Sequence, residues 1–173
     1  MKELKMIRDK INQILDKLPE DELNNVYWSI KSIEQEYLHN KSLQDKGVIT
    51  SYLEESEELI QKWDYSFAKN ISESVKRDIY YDQFKWHIFS YEKQECLKEE
   101  EARNAFNAVA KEELYIMYQG NPIVSLYSNA SELKAEDFDS KQDIYIFDKN
   151  FSWTYVLTHE SMCGPYYYKI NNK

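Results

Sequence analysis

Hydrophobic positions step through the first forty residues at intervals of three and four. Leu4, Ile7, Ile11, Ile14 and Leu18 form one series; past Pro19, Leu23, Val26, Ile30, Ile33 and Tyr37 form a second. Each series predicts an amphipathic helix with a narrow a/d seam. Pro19, with Glu20, Asp21 and Glu22 behind it, suits the positive start of the second helix. Residues 1–40 therefore read as a helical hairpin. Two helices of this length do not hold together unaided. The narrow seam favours a homodimer through residues 1–40, a four-helix bundle of two copies. Met6 and Tyr27, beside the seam, widen it toward the alternative of docking on the rest of the chain.

The polar run at residues 39–47 ends in Gly47 and reads as a linker. Beyond it, Leu53, Leu59, Ile60, Trp63 and Phe67 share one helical side, and a shorter helical piece follows at residues 72–81. The period then changes. Residues 84–91 (FKWHIFSY) are rich in aromatic and β-branched side chains and predict a strand. A helix is expected at residues 98–111, and strands at 114–118 and 123–127 flank Gly120, Asn121 and Pro122. One or two helical turns are expected over residues 131–138. Residues 143–148 and 151–160 form a predicted β-hairpin about Lys149 and Asn150. Gly164 and Pro165 introduce a last strand at 166–170. The expected fold of residues 48–173 is α+β, a mainly antiparallel sheet of about five to six strands with helices packed on one face.

Composition narrows the function classes. Hydrophobic residues make up 42% of the 173 and aromatic residues 15%, with fifteen tyrosines, too much for a disordered chain. A tyrosine ring packs well but its hydroxyl needs water or a partner, so a sheet face wetted by tyrosine is expected. The net charge of −9 argues against nucleic acid and anionic lipid as partners. Residues 1–47 hold 8 basic and 9 acidic side chains, leaving 14 basic and 22 acidic beyond them. Two cysteines, Cys96 and Cys163, make neither a disulfide scaffold nor a zinc site. With no apolar segment of signal-peptide type and no apolar run approaching a membrane span, a cytoplasmic protein with reduced thiols is expected.

Three glycines cannot build a phosphate loop, and there is no Gly-x-Ser-x-Gly, His-Glu-x-x-His or Cys-x-x-Cys. No cofactor is expected. What remains is a group of histidines and carboxylates at predicted strand ends. Were their strands neighbours, His87, His159 and Glu160 would supply a two-histidine, one-carboxylate metal set. Against this, adjacent strand residues point to opposite faces, so His159 and Glu160 converge only where the strand has ended. Tyr155, His159 and Glu160 form an alternative catalytic proton relay. Cys163 becomes a reactive thiol if a histidine lowers its pKa, and is otherwise a small buried hydrophobe.

The segments WHIFSYEKQECL (86–97), EEARNAFN (100–107) and DIYIFDKNFSWTYVLTHE (143–160), followed by GPYYY (164–168), resemble an uncharacterised bacterial, Bacillus-type domain family of unknown function. The resemblance covers about residues 50–170 and is most specific in the WTYVxTHE-like segment. It implies a single α+β domain and carries no activity and no functional residue.

Two functions are consistent with these features. The first is a non-enzymatic interaction protein that binds a basic protein partner through an acidic, tyrosine-rich surface, as toxin-neutralising immunity proteins do. The second is an enzyme or metal-binding protein using the His87, His159 and Glu160 group.

Overall fold

A computed structural model describes residues 2–170, with side chains from Leu4 to Ile170, so the ends of both sequence-defined segments lie just outside the described residues. The chain divides into two compact units, Met1–Asn40 and Lys41–Lys173.

The first unit contains α1 (Lys2–Leu15) and most of α2 (Glu20–Asp45). The carbonyl of Pro19 accepts from Leu23 N–H at 3.1 Å, and Glu20, Asp21 and Glu22 occupy the first turn. Both helices keep their apolar seams in solvent: Ile7 is 50% exposed, Ile14 58%, Ile30 50% and Ile33 68%.

The boundary between the two units falls at Asn40–Lys41, inside the expected linker, but residues 39–45 are helical. They continue α2 as far as Asp45, because Leu43 is buried while Lys41 and Asp45 pair at 2.8 Å on the outer side. Gly47 then ends the helix at φ 72°, with Gly47 N–H on Gln44 O and Val48 N–H on Leu43 O, a Schellman closure.

The second unit is built on a seven-stranded antiparallel sheet. Its strands are β1 (Ile49–Tyr52), β2 (Leu97–Lys98), β3 (Glu113–Tyr118), β4 (Val124–Ser128), β5 (Ile144–Asp148), β6 (Trp153–Leu157) and β7 (Tyr166–Lys169). The spatial order is β1-β4-β3-β5-β6-β7-β2. Four helices, α3 (Ser56–Ala68), α4 (Glu73–Asp78), α5 (His87–Ser90) and α6 (Glu99–Ala108), and two 3-10 turns at Ala130–Glu132 and Ala135–Phe138 complete it. The α+β class and the antiparallel sheet are as expected from the sequence.

The helices cover both faces of the sheet, not one. Alternate residues feed two cores. Leu114, Ile116, Ile144, Ile146 and Tyr155 meet Phe106 of α6 and Phe138. Met117, Tyr145, Phe147, Val156 and Tyr166 meet Trp63 and Phe67 of α3 with Trp86, Ile88 and Phe89. The expected tyrosine-wetted sheet face is mostly covered: Tyr127, Tyr145, Tyr155, Tyr166 and Tyr167 are buried and Tyr115, Tyr118 and Tyr168 half-buried, while Tyr52 on β1 is exposed. Strands without a polar alternation, such as WTYVL in β6, are the mark of a sheet covered twice.

Two polar groups inside this body are satisfied locally. Thr154 accepts the Trp63 indole N–H at 3.1 Å and donates to Ile146 O at 3.2 Å. Lys111 closes the C-terminal end of α6 by donating to Phe106 O at 2.7 Å and Val109 O at 2.9 Å, where the helix dipole favours a cation. Its burial nevertheless pushes the ammonium down to about 8.

Candidate functional site

The segment at residues 84–91 is not a strand. Tyr80 and Glu92 take left-handed φ angles of 54° and 55°, and the peptide between them closes in tight turns around α5. Its backbone bonds are local: His87 N–H to Phe84 O, Phe89 N–H to Trp86 O and Tyr91 N–H to His87 O. Those turns push Trp86, Ile88 and Phe89 against the sheet and leave His87 at the margin.

A polar network surrounds Trp86. Its backbone N–H donates to Tyr145 Oη at 3.1 Å, and that hydroxyl donates to Gln119 Oε1 at 2.7 Å. Gln119 Oε1 also accepts Lys85 N–H. Lys85 Nζ bonds both oxygens of Asp64 at 2.6 and 2.8 Å, and Tyr81 Oη donates to the same carboxylate at 2.6 Å. Burial, with Asp64 beside Tyr81, pushes the Tyr81 phenol well up, and burial does the same to Tyr145. Both hydroxyls therefore stay protonated donors. Lys85, Gln119 and Tyr145 also line a cleft of about 300 Å³ with Tyr118, Asn121 and Pro122.

The network ends at Asp143, one residue before β5. Its carboxylate accepts the Trp86 indole N–H at 3.0 Å, His159 N–H at 3.2 Å and His159 Nδ1–H at 2.9 Å. The imidazole of His159 lies against Phe84, ring centroids 4.9 Å apart, and 5.8 Å from Trp86. An aspartate fixing Nδ1 presents Nε2 as the basic nitrogen, the arrangement of a histidine general base.

The sequence-derived candidates separate as follows. His87 contacts Trp86 at 4.4 Å and donates from Nδ1 to Tyr80 O at 3.2 Å. It thus shares the Phe84 and Trp86 rings with His159, but both imidazole Nδ1 atoms are taken up by different oxygens. Among the described residues no three His, Cys, Asp or Glu side chains are grouped to hold a metal ion. Tyr155 packs in the α6-side core, its ring stacked on Phe106 at 4.5 Å. His159, Glu160 and Cys163 do come together: β6 ends at Leu157, and all three line a cleft of about 260 Å³ with Arg103 and Asp139. Thr158 ties that loop by donating to the carbonyls of Cys163 and Glu160. Burial and the neighbouring Glu160 push the Cys163 thiol up, the opposite of activation.

Asp143 is the group that sequence reasoning missed. Its signal lies in the hairpin register: Ile144 faces Leu157, which sets Asp143 beside the end of β6.

With this geometry in hand, the class is an α+β domain with a doubly covered antiparallel sheet and a His–Asp pair at one strand end. The chain belongs to the family described as Domain of unknown function (DUF4275), whose model matches residues 37–167. No curated protein and no solved structure matches it. No helix among the described residues is long and apolar enough to cross a membrane.

Proposed function

We propose that the second unit is a protein-interaction module that accepts an extended, basic segment of a partner along β1. The observation that carries this reading is the uncovered sheet edge. Among the described residues β1 pairs only with β4, all four of its residues are exposed, and Tyr52 is 81% exposed. Sheet edges are normally blunted by charge, proline or shortness. The opposite edge obeys that rule, being the two-residue β2. Ile49-Thr-Ser-Tyr52 has no such protection and offers unpaired backbone groups for strand addition. The exposed Glu54, Glu55, Glu57 and Glu58 follow directly, giving the edge a negative flank. An immunity protein that neutralises a basic toxin is the specific form of this function. A cytoplasmic setting agrees with the free thiols of Cys96 and Cys163.

A labelled lysine-valine-threonine strand peptide should bind with micromolar affinity that weakens as salt rises, while its glutamate counterpart should not bind. The triple change Glu54→Lys, Glu57→Lys, Glu58→Lys should abolish that binding. Equal binding of both peptides, or binding that survives the triple change, would sink the proposal.

The Asp143–His159 pair favours a second reading, an enzyme with His159 as general base in the cleft beside Arg103. Under that reading a panel of chromogenic carboxylic and phosphoric esters shows turnover that His159→Gln removes, about a hundredfold loss or more, at unchanged melting temperature. Absence of turnover across the panel, or turnover indifferent to His159→Gln, counts against it.

A further inference from the structure

We infer that the first unit is a self-association element in which α1 of one chain packs on α2 of a second copy. This inference is independent of the edge-strand reading. Eight seam residues are exposed in the single chain: Leu4 67%, Ile7, Ile11, Ile14, Leu23, Ile30, Ile33 and Tyr37 64%. They make two continuous apolar stripes, one per helix, and neither helix buries the other's stripe. A contiguous apolar surface of this size on helices marks an interaction site.

The occupant is identified by charge at the positions flanking the seams. With Leu4, Ile7, Ile11 and Ile14 at a and d, the flanks of α1 carry Arg8 and Lys10, with Lys17 just past its end, against a single acidic residue, Glu3, at its start. With Leu23, Val26, Ile30 and Ile33 at a and d, the flanks of α2 carry Glu22, Glu34 and Glu36 beside the neutral Tyr27 and Ser29. α1 holds four basic and two acidic residues; residues 20–40 of α2 hold one basic and five acidic. Flanking charges of this kind choose partner and orientation in helix assemblies. Pairing α1 with α1, or α2 with α2, sets like charges together. Pairing α1 with α2 of a second copy sets Arg8, Lys10 and Lys17 against Glu22, Glu34 and Glu36 twice over, by symmetry. The Lys31–Glu34 pair within α2 is exposed on both sides and so does not compete strongly.

The area suffices. At roughly 100 Å² for each of eight half-exposed large side chains, each copy contributes ~800 Å² and the pair ~1,600 Å², the size of a standard stable interface. Tyr37 lies at the end of the α2 seam, so the interface involves little beyond residues 4–37.

Light scattering on the full chain at tens of micromolar should give twice the chain mass of 20.9 kDa. Two charge-reversed chains separate this arrangement from pairing inside one chain. The first carries Arg8→Glu, Lys10→Glu and Lys17→Glu; the second carries Glu22→Lys, Glu34→Lys and Glu36→Lys. Each alone should run at the single-chain mass, with the near-ultraviolet spectrum of the second unit retained, and an equimolar mixture should return to the double mass. All six positions are polar and outside the seams, and far-ultraviolet circular dichroism checks that each variant keeps its helices. Ile30→Asp should leave the chain at the single mass whether or not it is mixed. A wild-type chain at the single mass, reversed chains that still pair with themselves, or a mixture that stays apart would each overturn the inference.

Discussion

Between pH 9 and pH 11 the protein is expected to lose stability progressively, against a total that for a domain of ordinary stability is only about 5–15 kcal/mol. The cause is the buried tyrosine set. Burial pushes the phenols of Tyr81, Tyr145, Tyr155 and Tyr166 far up and that of Tyr167 up to about 12. In the unfolded chain they ionise near 10. Above that pH the unfolded state holds fewer protons than the folded one, so the free energy of unfolding falls as pH rises. The stabilisation is complete below pH 9 and is lost as pH rises past 10 toward the raised values. Cys96, pushed up to about 11 by burial, acts in the same direction. Lys111 acts in the other: folded near 8 and unfolded near 10.4, it favours the folded state as pH rises between those values. Lys111 is one group set against five phenols, so the net change is a loss. Urea midpoints at pH 9, 10 and 11, followed by circular dichroism, test this, with phenolate absorbance recorded on the same samples. Native dichroism at pH 11 with all tyrosines already ionised would show that these phenols are not sheltered.

Trp63→Ala should cost about 4 kcal/mol, the other large effect. Trp63 is wholly buried between the sheet and α3, with its ring 5.1 Å from Tyr145 and 5.4 Å from Phe67. Removing it opens a cavity where both the helix and the sheet are held by their own hydrogen bonds, so collapse is limited. It also strips Thr154 Oγ1 of its donor. Trp63→Phe keeps a smaller aromatic ring but no hydrogen-bond donor, and about 1–2 kcal/mol should be lost, less than for the alanine. Denaturant unfolding of both variants measures these losses; a loss below about 1 kcal/mol for the alanine would mean that the layer repacks around the gap.

The strands at 113–118, 124–128, 144–148, 153–157 and 166–169 were legible because each is rich in apolar, aromatic or β-branched residues and lies between turn residues. β1 and β2 were not. Ile49-Thr-Ser-Tyr52 has no inward face to generate an alternation, and two residues of β2 carry no pattern at all. The segment at 84–91 misled for the opposite reason. Its aromatic residues fill space under the sheet, and filling space and lying in a strand demand the same residue types. The site was half legible. His159 and Glu160 were located near a strand end, yet a two-residue turn at Lys149 and Asn150 would set Ile144 opposite Tyr155. The actual turn is two residues longer. Asp148 accepts the backbone N–H groups of Ser152 and Trp153 at 2.6 and 3.1 Å and the Ser152 hydroxyl at 2.9 Å, and Phe151 takes φ 53°. A side-chain bond thus moves the register by two residues and carries Asp143 to His159, out of reach of any periodicity argument.

A sheet sandwiched on both flat sides has only its perimeter left for recognition. Substitutions along that rim, in β1 or in the loops that end β6 and begin β5, change what is met without disturbing either filled layer. Substitutions within the layers do the reverse. In such a scaffold specificity and robustness draw on separate stretches of chain, so one can drift while the other stands still.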